Sequence, residues 1–493
     1  MLKRFLSLIL CIIFAVPVFA GCSNTDDAYI YFELPETPST LDPQTASSDA
    51  ELIIIKNVFE GLLRKNEEGK IVCGAAEDFN KSGLTYTFTI REDAKWSSGE
   101  ELTAYDFEFG LKRAILPETK APFASRLFAI KGAKEINNGK ASLDKLGVKA
   151  TDEHTLVITL HKEDSHFENT LTTSVAMPCK QSFFEESAGK YGLFADSILS
   201  NGSYRLARWR KDPFGVRLYR NKEYSGEFKS KNAAVFLTCD KDETPLQRLE
   251  KNSVDMAFIE SAEKSTAESY GLKTKEFENI CWVLTIGNEF NESTRKSLAM
   301  LVGSQVFSNS LAEGYRPATS LFPAIFGKQI SSAGITVYNA EGAKKLFLQE
   351  VANFENSKFP EDIVLYYYDD GHVRDVVTDI VGHWQSNLSA FVNIESASDS
   401  DLLLSQLTEK SYSMAIFPVK AESAEVAEYL KKFGFDYNTE TLETVQKSLL
   451  EDCYTVPLMF QNTNIAYSAA LSNVAFEYGN GYVDFAFIIK VES

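Results

Sequence analysis

Histidine is scarce, at five in 493 residues, and the few present are poorly placed for metal or proton-transfer chemistry. His161 and His166 flank the end of a predicted strand, with no third ligand spaced to complete a zinc set. His372 and His383 fall eleven residues apart on one predicted helix, sharing a face but separated by about 16 Å of rise, too far to chelate one ion. His-Glu-x-x-His, G-x-S-x-G, Walker A and G-x-G-x-x-G motifs are all missing. Ser-x-x-Lys matches such as Ser293 with Lys296 lack their companion motifs, and chance pairs of carboxylates are uninformative among 69 acidic side chains. Without a set of nucleophile, base and orienter, the expectation is a chain that is not an enzyme and uses no metal or cofactor.

Cysteine is nearly as rare. Of seven, Cys11 falls in an N-terminal apolar run and Cys22 closes it, leaving Cys73, Cys179, Cys239, Cys281 and Cys453. An odd number, widely spread, is not a disulfide framework, so most are expected to act as small buried hydrophobes. One disulfide among the five is left open. Positive charge is also in deficit, 50 basic against 69 acidic side chains, a net −19. Such a field repels phosphate backbones, which excludes nucleic acid as a partner and makes broad adhesion to anionic headgroups a poor expectation.

No apolar run is long enough to span a bilayer. Lys3 and Arg4 precede one from Phe5 to Ala20, short of the ~20 residues of a membrane helix but suited to a secretory leader. The run ends Val18, Phe19, Ala20, Gly21, Cys22 and turns polar at Ser23 to Asp27, which resembles a bacterial lipobox. Residues 1–21 are therefore expected to be a signal peptide and Cys22 the acylated mature N-terminus. Two or three acyl chains hold a protein on a membrane lastingly, where one does not. Simple secretion is the alternative, since Val18 and Ala20 also suit an ordinary cleavage site.

What is present is ordinary globular composition, 44% hydrophobic and 24% charged, enough for two or three cores. No repeat or long Pro/Gly linker divides it, so any domains must interweave. Tyr86, Phe88 and Ile90 alternate with threonines as in a half-buried strand, and Leu156–Leu160 and Val216–Tyr219 read alike. Thr103 with Asp106 forms a capping box opening a helix through Ala114. Further on, Ile363–Tyr368 predicts a strand in which Tyr367 takes the opposite face from Tyr366 and Tyr368. Val373, Val376, Val377, Ile380, Val381, Trp384 and Leu388 then mark one face of a long helix. A strand at Met414–Phe417 and helices at Glu422–Phe433 and around Leu442, Val445 and Leu449 follow, an alternation that implies a sheet flanked by helices.

Several phrases in order resemble one family, the large solute-binding proteins of ABC importers for oligopeptides, dipeptides or nickel complexes. They are Thr40-Leu41-Asp42-Pro43; Phe59-Glu60-Gly61-Leu62; Gly83 to Phe88 through Arg91, Ala94-Lys95-Trp96-Ser97-Ser98-Gly99-Glu100 and Thr103-Ala104, Asp106-Phe107; Leu146 to Ala150 with Asp152, Thr155 and Leu156; and Asn201-Gly202-Ser203-Tyr204 before Trp209. The likeness is strong from residue 36 to 225 and continues more weakly through Glu341–Leu346, Ile363–Leu365 and Val456-Pro457.

The resemblance implies an α/β, two-lobed periplasmic-binding-protein-like fold (type II, large cluster C-like) with an extra subdomain in the N-terminal lobe. Residues 22–28 would be the lipidated tether; 29–51, 178–277 and 455–493 the lobe I core; 52–177 the subdomain; 278–454 lobe II. It also implies an extracytoplasmic, membrane-anchored monomer that captures a peptide or similar small polar solute by lobe closure and delivers it to permease subunits. A ligand-sensing or surface interaction lipoprotein that kept the fold but lost transport is the alternative.

Most motif residues are assigned to the fold: Trp96 packs under its turn, Gly99 frees the backbone, and Asn201-Gly202 turns into a strand. Carried over to the ligand are Thr37 and Pro38, in the loop that runs along a bound peptide, and Phe123, where the family often has a ligand-facing tyrosine. Cys281 falls on a lobe-crossing strand bordering the cleft. Glu422 lands on the position of an acid that pairs with the ligand's amino group, a charge-assisted bond worth roughly 1.5–3 kcal/mol. The sequence departs from the family there: Val419 replaces a tryptophan, an Asp-Pro is missing, and the segment after Asn288 is shortened. Peptide specificity is thus an inference from the family rather than from these residues.

Overall fold

The computed structural model describes residues 28–211, 213–327, 332, 334–352, 354, 358–360, 362–397, 414–421, 426–435, 441–476 and 481–491. Among the described residues eleven strands form the main sheet: β1 (Tyr29–Glu33), β2 (Tyr204–Lys211), β3 (Phe214–Arg220), β4 (Ala234–Thr238), β5 (Met256–Ile259), β6 (Lys273–Ile286), β7 (Tyr315–Pro317), β8 (Val364–Tyr368), β9 (Asn393–Ala397), β10 (Met414–Lys420) and β11 (Thr455–Tyr467). Their spatial order is β9-β8-β10-β6-β11-β5-β1-β4-β3-β2, with β7 on the side of β11.

Two long strands, β6 and β11, run antiparallel through both lobes. The first half of β6 and the last half of β11 lie beside β5 in lobe I, and their other halves lie beside β10 in lobe II. Between the halves the register slips at Asn279, the extra residue of a β-bulge. Asn279 is fully buried; its carbonyl accepts from the Ala421 N–H at 2.7 Å and its side-chain oxygen from Thr463 Oγ1 at 2.9 Å.

In lobe II the period of two sorts side chains onto both faces of the sheet. Trp282, Leu284, Met414 and Ile416 face one core, closed by the helix Arg374–Leu388 through Val376, Val377, Ile380, Trp384 and Leu388. Cys281, Val283, Ala415, Phe417 and Val419 face another, closed by the helices Val426–Lys431 and Leu442–Leu450. Tyr367 is buried while Tyr366 and Tyr368 are half-buried, the alternation read from sequence.

The long helix corrects one expectation. It begins at Arg374, so His372 lies before it and shares no helical face with His383. The Asp370 carboxylate takes the N–H groups of His372 and Val373 at 3.0 and 3.1 Å, holding that segment in a turn. The helix predicted from Glu422 is described only from Val426.

Lobe I and the subdomain share one continuous core that includes Ile30, Phe32, Ile54, Trp96, Phe107, Leu218 and Phe485. The subdomain adds a four-stranded antiparallel sheet of Ala76–Ser82, Thr85–Ile90, Thr155–Thr159 and Val148–Ala150, in that spatial order. Its helix Ala104–Ile115 opens with the expected box: the Asp106 carboxylate accepts from Thr103 N–H at 2.9 Å and also from Trp96 Nε1 at 3.1 Å. Trp96 is fully buried, and Gly99 takes φ +88°, which only glycine adopts without strain.

The five described cysteines are free thiols. Cys179, Cys281 and Cys453 are buried and Cys73 and Cys239 half-buried; burial pushes the Cys179 thiol up to about 12. Among the described residues no three His, Cys, Asp or Glu side chains converge as a metal site, and no helix is long and apolar enough to cross a membrane.

Candidate functional site

The site is built where lobe I and lobe II meet, and its first wall is the loop that follows β1. Glu33 ends that strand buried, its carboxylate held by Thr238 Oγ1 (2.6 Å), Arg248 Nη1 (2.5 Å) and the Asp240 N–H (2.5 Å). The chain then leaves through Leu34, Pro35, Glu36, Thr37 and Pro38. One side chain organises it. Glu51, in the first turn of the helix Asp49–Val58, accepts on Oε1 from Ser39 N–H (2.9 Å), Ser39 Oγ (2.6 Å) and Thr40 N–H (3.0 Å), and on Oε2 from Ser47 and Ser48 N–H (2.9 and 3.1 Å). Burial alone would raise the Glu51 carboxyl, but the Ser39 hydroxyl and the Ser47, Thr40 and Ser48 amides outweigh it and hold it below its ordinary value. The negative charge is therefore kept, and with it the loop.

Thr37 is exposed on this loop and Pro38 is buried beneath it. Glu36 beside them has its carboxyl raised, first by partial burial and then by the Asp49 and Glu51 charges, with a Ser48 hydrogen bond and Lys420 acting the other way.

Lys420 comes from the opposite lobe, at the end of β10. Its ammonium pairs with Asp49, the first residue of the lobe I helix, and the other Asp49 oxygen accepts from Tyr482 Oη at 2.7 Å. A second cross-lobe contact involves the subdomain. Phe123 is half-buried, the Arg126 guanidinium stacks 4.0 Å above its ring, and Arg126 pairs with Glu428 on the helix Val426–Lys431. From the same helix Lys431 Nζ donates to the Ser125 carbonyl at 3.0 Å. Beside this contact a groove of about 840 Å³ is lined from both lobes, by Ser125, Arg126, His161 and Lys162 on one side and Ala427 and Lys431 on the other. On the far side of the crossing strands, His372 Nε2 stands 3.4 Å from Glu260 Oε2.

The expected ligand residues are thus only partly gathered. Thr37, Pro38 and Phe123 stand at the two lobe contacts. Cys281 does not: the structure places it in the lobe II core, without solvent exposure, its thiol raised by burial and set against Tyr429. It lies on the crossing strand as expected, but alternation turns it inward, while its neighbour Trp282 faces the other core and donates from Nε1 to Gln461 at 2.8 Å. Cys22 and Glu422 lie outside the described residues.

Sequence reading missed Asp49, Lys420, Arg126 and Glu428, whose partners are 371 and 302 residues away and leave no local signal. Glu51 could have been found, because Ser48 and Glu51 carry the spacing of a capping box, and both of its bonds form.

The arrangement offers two lobes on two crossing strands, joined by ion pairs that form only when the lobes meet, which is the geometry of a hinged binding protein. Comparison with known proteins agrees. Residues 70–441 match the model of bacterial extracellular solute-binding proteins, family 5. The chain is 27% identical over 394 residues to the oligopeptide-binding protein OppA of Bacillus subtilis, covering 76% of this chain and 72% of that one. It is 28% identical over 404 residues to the periplasmic oligopeptide-binding protein OppA of Salmonella typhimurium, covering 78% and 73%. Among solved structures, Listeria monocytogenes OppA bound to peptide superposes with a TM-score of 0.76 at 19% identity, over 95% of this chain and all of that one. The pheromone receptor PrgZ does so with a TM-score of 0.76 at 21% identity, over 95% and 100%. A two-lobed α/β chain whose family model spans most of its length is a member of the bacterial extracellular solute-binding proteins, family 5.

Proposed function

We propose that this chain is the lipid-anchored peptide receptor of an ABC importer, taking up a peptide between its lobes and presenting the closed form to the permease. The observation that carries this reading is the pair of cross-lobe contacts, Asp49 with Lys420 and Arg126 with Glu428, made at the loop of Thr37 and Pro38 and at Phe123. A ligand that touches both lobes adds contacts the open form lacks, and its differential affinity draws the hinge closed. The curated relatives named for oligopeptide binding support peptide as the solute class.

In this reading lobe I is built from 29–51, 178–277 and 455–493, lobe II from 278–454, and 52–177 is the added subdomain. Thr37, Pro38 and Phe123 border the ligand on the lobe I side and Glu422 meets its amino group. Residues 1–21 are removed, Cys22 carries the acyl chains, and a monomer works at the extracytoplasmic face of the membrane.

Mass spectrometry of whatever leaves the purified protein on denaturation tests the solute class. Peptides should be recovered, and adding them back should raise thermal stability by about 2.7 kcal/mol at a hundredfold excess over Kd. Glu422→Gln should weaken peptides with a free amino terminus more than acetylated ones. A pool of non-peptide solutes alone, or equal weakening of both peptide forms, would overturn the respective assignment. Palmitate labelling that persists in Cys22→Ala would refute the anchor.

A further inference from the structure

The chain is acidic overall, yet between Tyr204 and Lys231 it carries nine Lys or Arg against three Asp or Glu. Much of that charge lies on β2 and β3, and register places it on one face. Arg205 pairs with Tyr219, Arg208 with Arg217, and Arg210 with Gly215, while Phe236 of β4 lies opposite Arg217 and Tyr31 of β1 beside Phe236. Directly paired residues share a face, so Arg205, Arg208, Arg210 and Arg217 stand together with Tyr29, Tyr31, Tyr219 and Phe236.

The rings are not core. Tyr29 is 45% and Tyr31 38% exposed, and Phe236 sits between them at centroid distances of 5.4 and 5.2 Å. The arginines stack on them, Arg217 at 5.2 Å over Phe236 and Arg205 at 5.9 Å over Tyr219, and among the described residues none of the four has a carboxylate partner. Further along the sheet the same face is covered: over β5 the helices Pro245–Glu250 and Lys264–Ser269 bury Ala257 and Ile259 with Leu246, Leu249 and Ala267. Over β2, β3 and the first part of β1, where Arg205, Arg208, Arg210, Arg217, Tyr29 and Tyr31 are exposed, it is open.

We infer that this open face of lobe I is a membrane-resting surface whose arginines meet anionic lipid headgroups and whose rings lie at the interface. Two observations select a lipid surface. Unpaired guanidiniums interleaved with half-exposed rings complement a negatively charged interface, where arginine finds phosphate and tyrosine sits at the headgroup level. The chain also enters at this face: Tyr29 belongs to the patch and stands seven positions after Cys22, a reach of at most about 25 Å. The second argument rests on the anchoring proposed above; the charge and ring arrangement does not. The tether would hold lobe I at the membrane and the patch would fix which side of it lies down. β1 then leads from the membrane side at Tyr29 to the ligand loop after Glu33.

The test uses the acylated protein on phosphatidylcholine vesicles with and without phosphatidylglycerol, read by hydrogen exchange. Residues 29–33 and 204–220 should gain protection on the anionic vesicles only, and lose it at high salt. In parallel, the chain with Cys22→Ser should co-sediment with anionic vesicles and not with neutral ones. Each arginine contributes about fivefold to partitioning, so R205Q, R208Q, R210Q and R217Q together should reduce it by at least about a hundredfold, with melting temperature and peptide affinity unchanged. Equal protection on both vesicle types, a quadruple variant that partitions like the parent, or a dimer joined through this face would overturn the inference. If acylation fails while the Cys22→Ser chain still prefers anionic vesicles, the anchoring proposal falls and the surface stands. If the anchor holds and the face gains no protection, the reverse follows.

Discussion

Removing the Arg126–Glu428 contact tests closure most directly, because the pair joins the subdomain to lobe II and cannot form when the lobes part. Both side chains are largely shielded, at 11% and 18% exposure, so the pair lies between a solvated surface bridge of 0–1 kcal/mol and a buried charge-assisted bond of about 1.5–3 kcal/mol. About 1–2 kcal/mol is the reasonable middle, a factor of about 5 to 30 in the ratio of closed to open forms. Glu428→Gln should weaken peptide affinity by up to that factor, since apparent affinity scales with the competent fraction. It should also enlarge the ligand-free radius of gyration. Arg126 additionally stacks on Phe123, so the double variant with Arg126→Gln is needed to isolate the pair. Titration calorimetry and small-angle scattering on the four proteins of that cycle give the coupling. If both affinity and radius of gyration stay at parental values, the contact is incidental and the closure argument built on it fails.

Glu51→Gln replaces one acceptor oxygen by an NH₂ facing the Ser47 and Ser48 amides, and should cost about 2–4 kcal/mol by chemical denaturation while loosening the loop of Thr37. Because the folded-state carboxyl is held low, its contribution is complete above the unfolded value of about 4.3 and is lost as pH falls through the lower folded value; the Gln variant should lack that acid slope. Trp384→Ala should cost about 3–5 kcal/mol, seen as faster hydrogen exchange in lobe II, since the indole is fully buried and donates to the Leu298 carbonyl at 3.0 Å. A thiol reagent should label Cys73 and Cys239 in the native state and reach Cys179, Cys281 and Cys453 only on unfolding; rapid native labelling of Cys281 would contradict its place in the core.

Local pattern made much of the fold legible. The capping box at Thr103 and Asp106, the alternation in Thr85–Ile90 and the apolar face of Arg374–Leu388 each depend on neighbours within a few residues, and each is found where the pattern put it. The site was less legible because it is assembled from distant pieces. Lys420 reads as one more lysine until β10 carries it to Asp49. Cys281 was placed on the right strand but assigned to the cleft, since sequence alone did not decide which of Cys281 and Trp282 faced which core. Net charge conceals local charge in the same way: averaging over the chain hides the arginines that two neighbouring strands gather on one face.

Asn57 near the start of the chain donates to the Val483 carbonyl at 2.8 Å and accepts from the Phe485 N–H at 2.8 Å, residues more than 420 positions later. The buried Tyr204 hydroxyl reaches the Phe485 carbonyl as well, at 3.2 Å. The first lobe to emerge from the ribosome therefore lacks its keystone until the last part of the message has been read. A truncation of the final segment should leave the beginning of the protein, rather than its end, open to proteases.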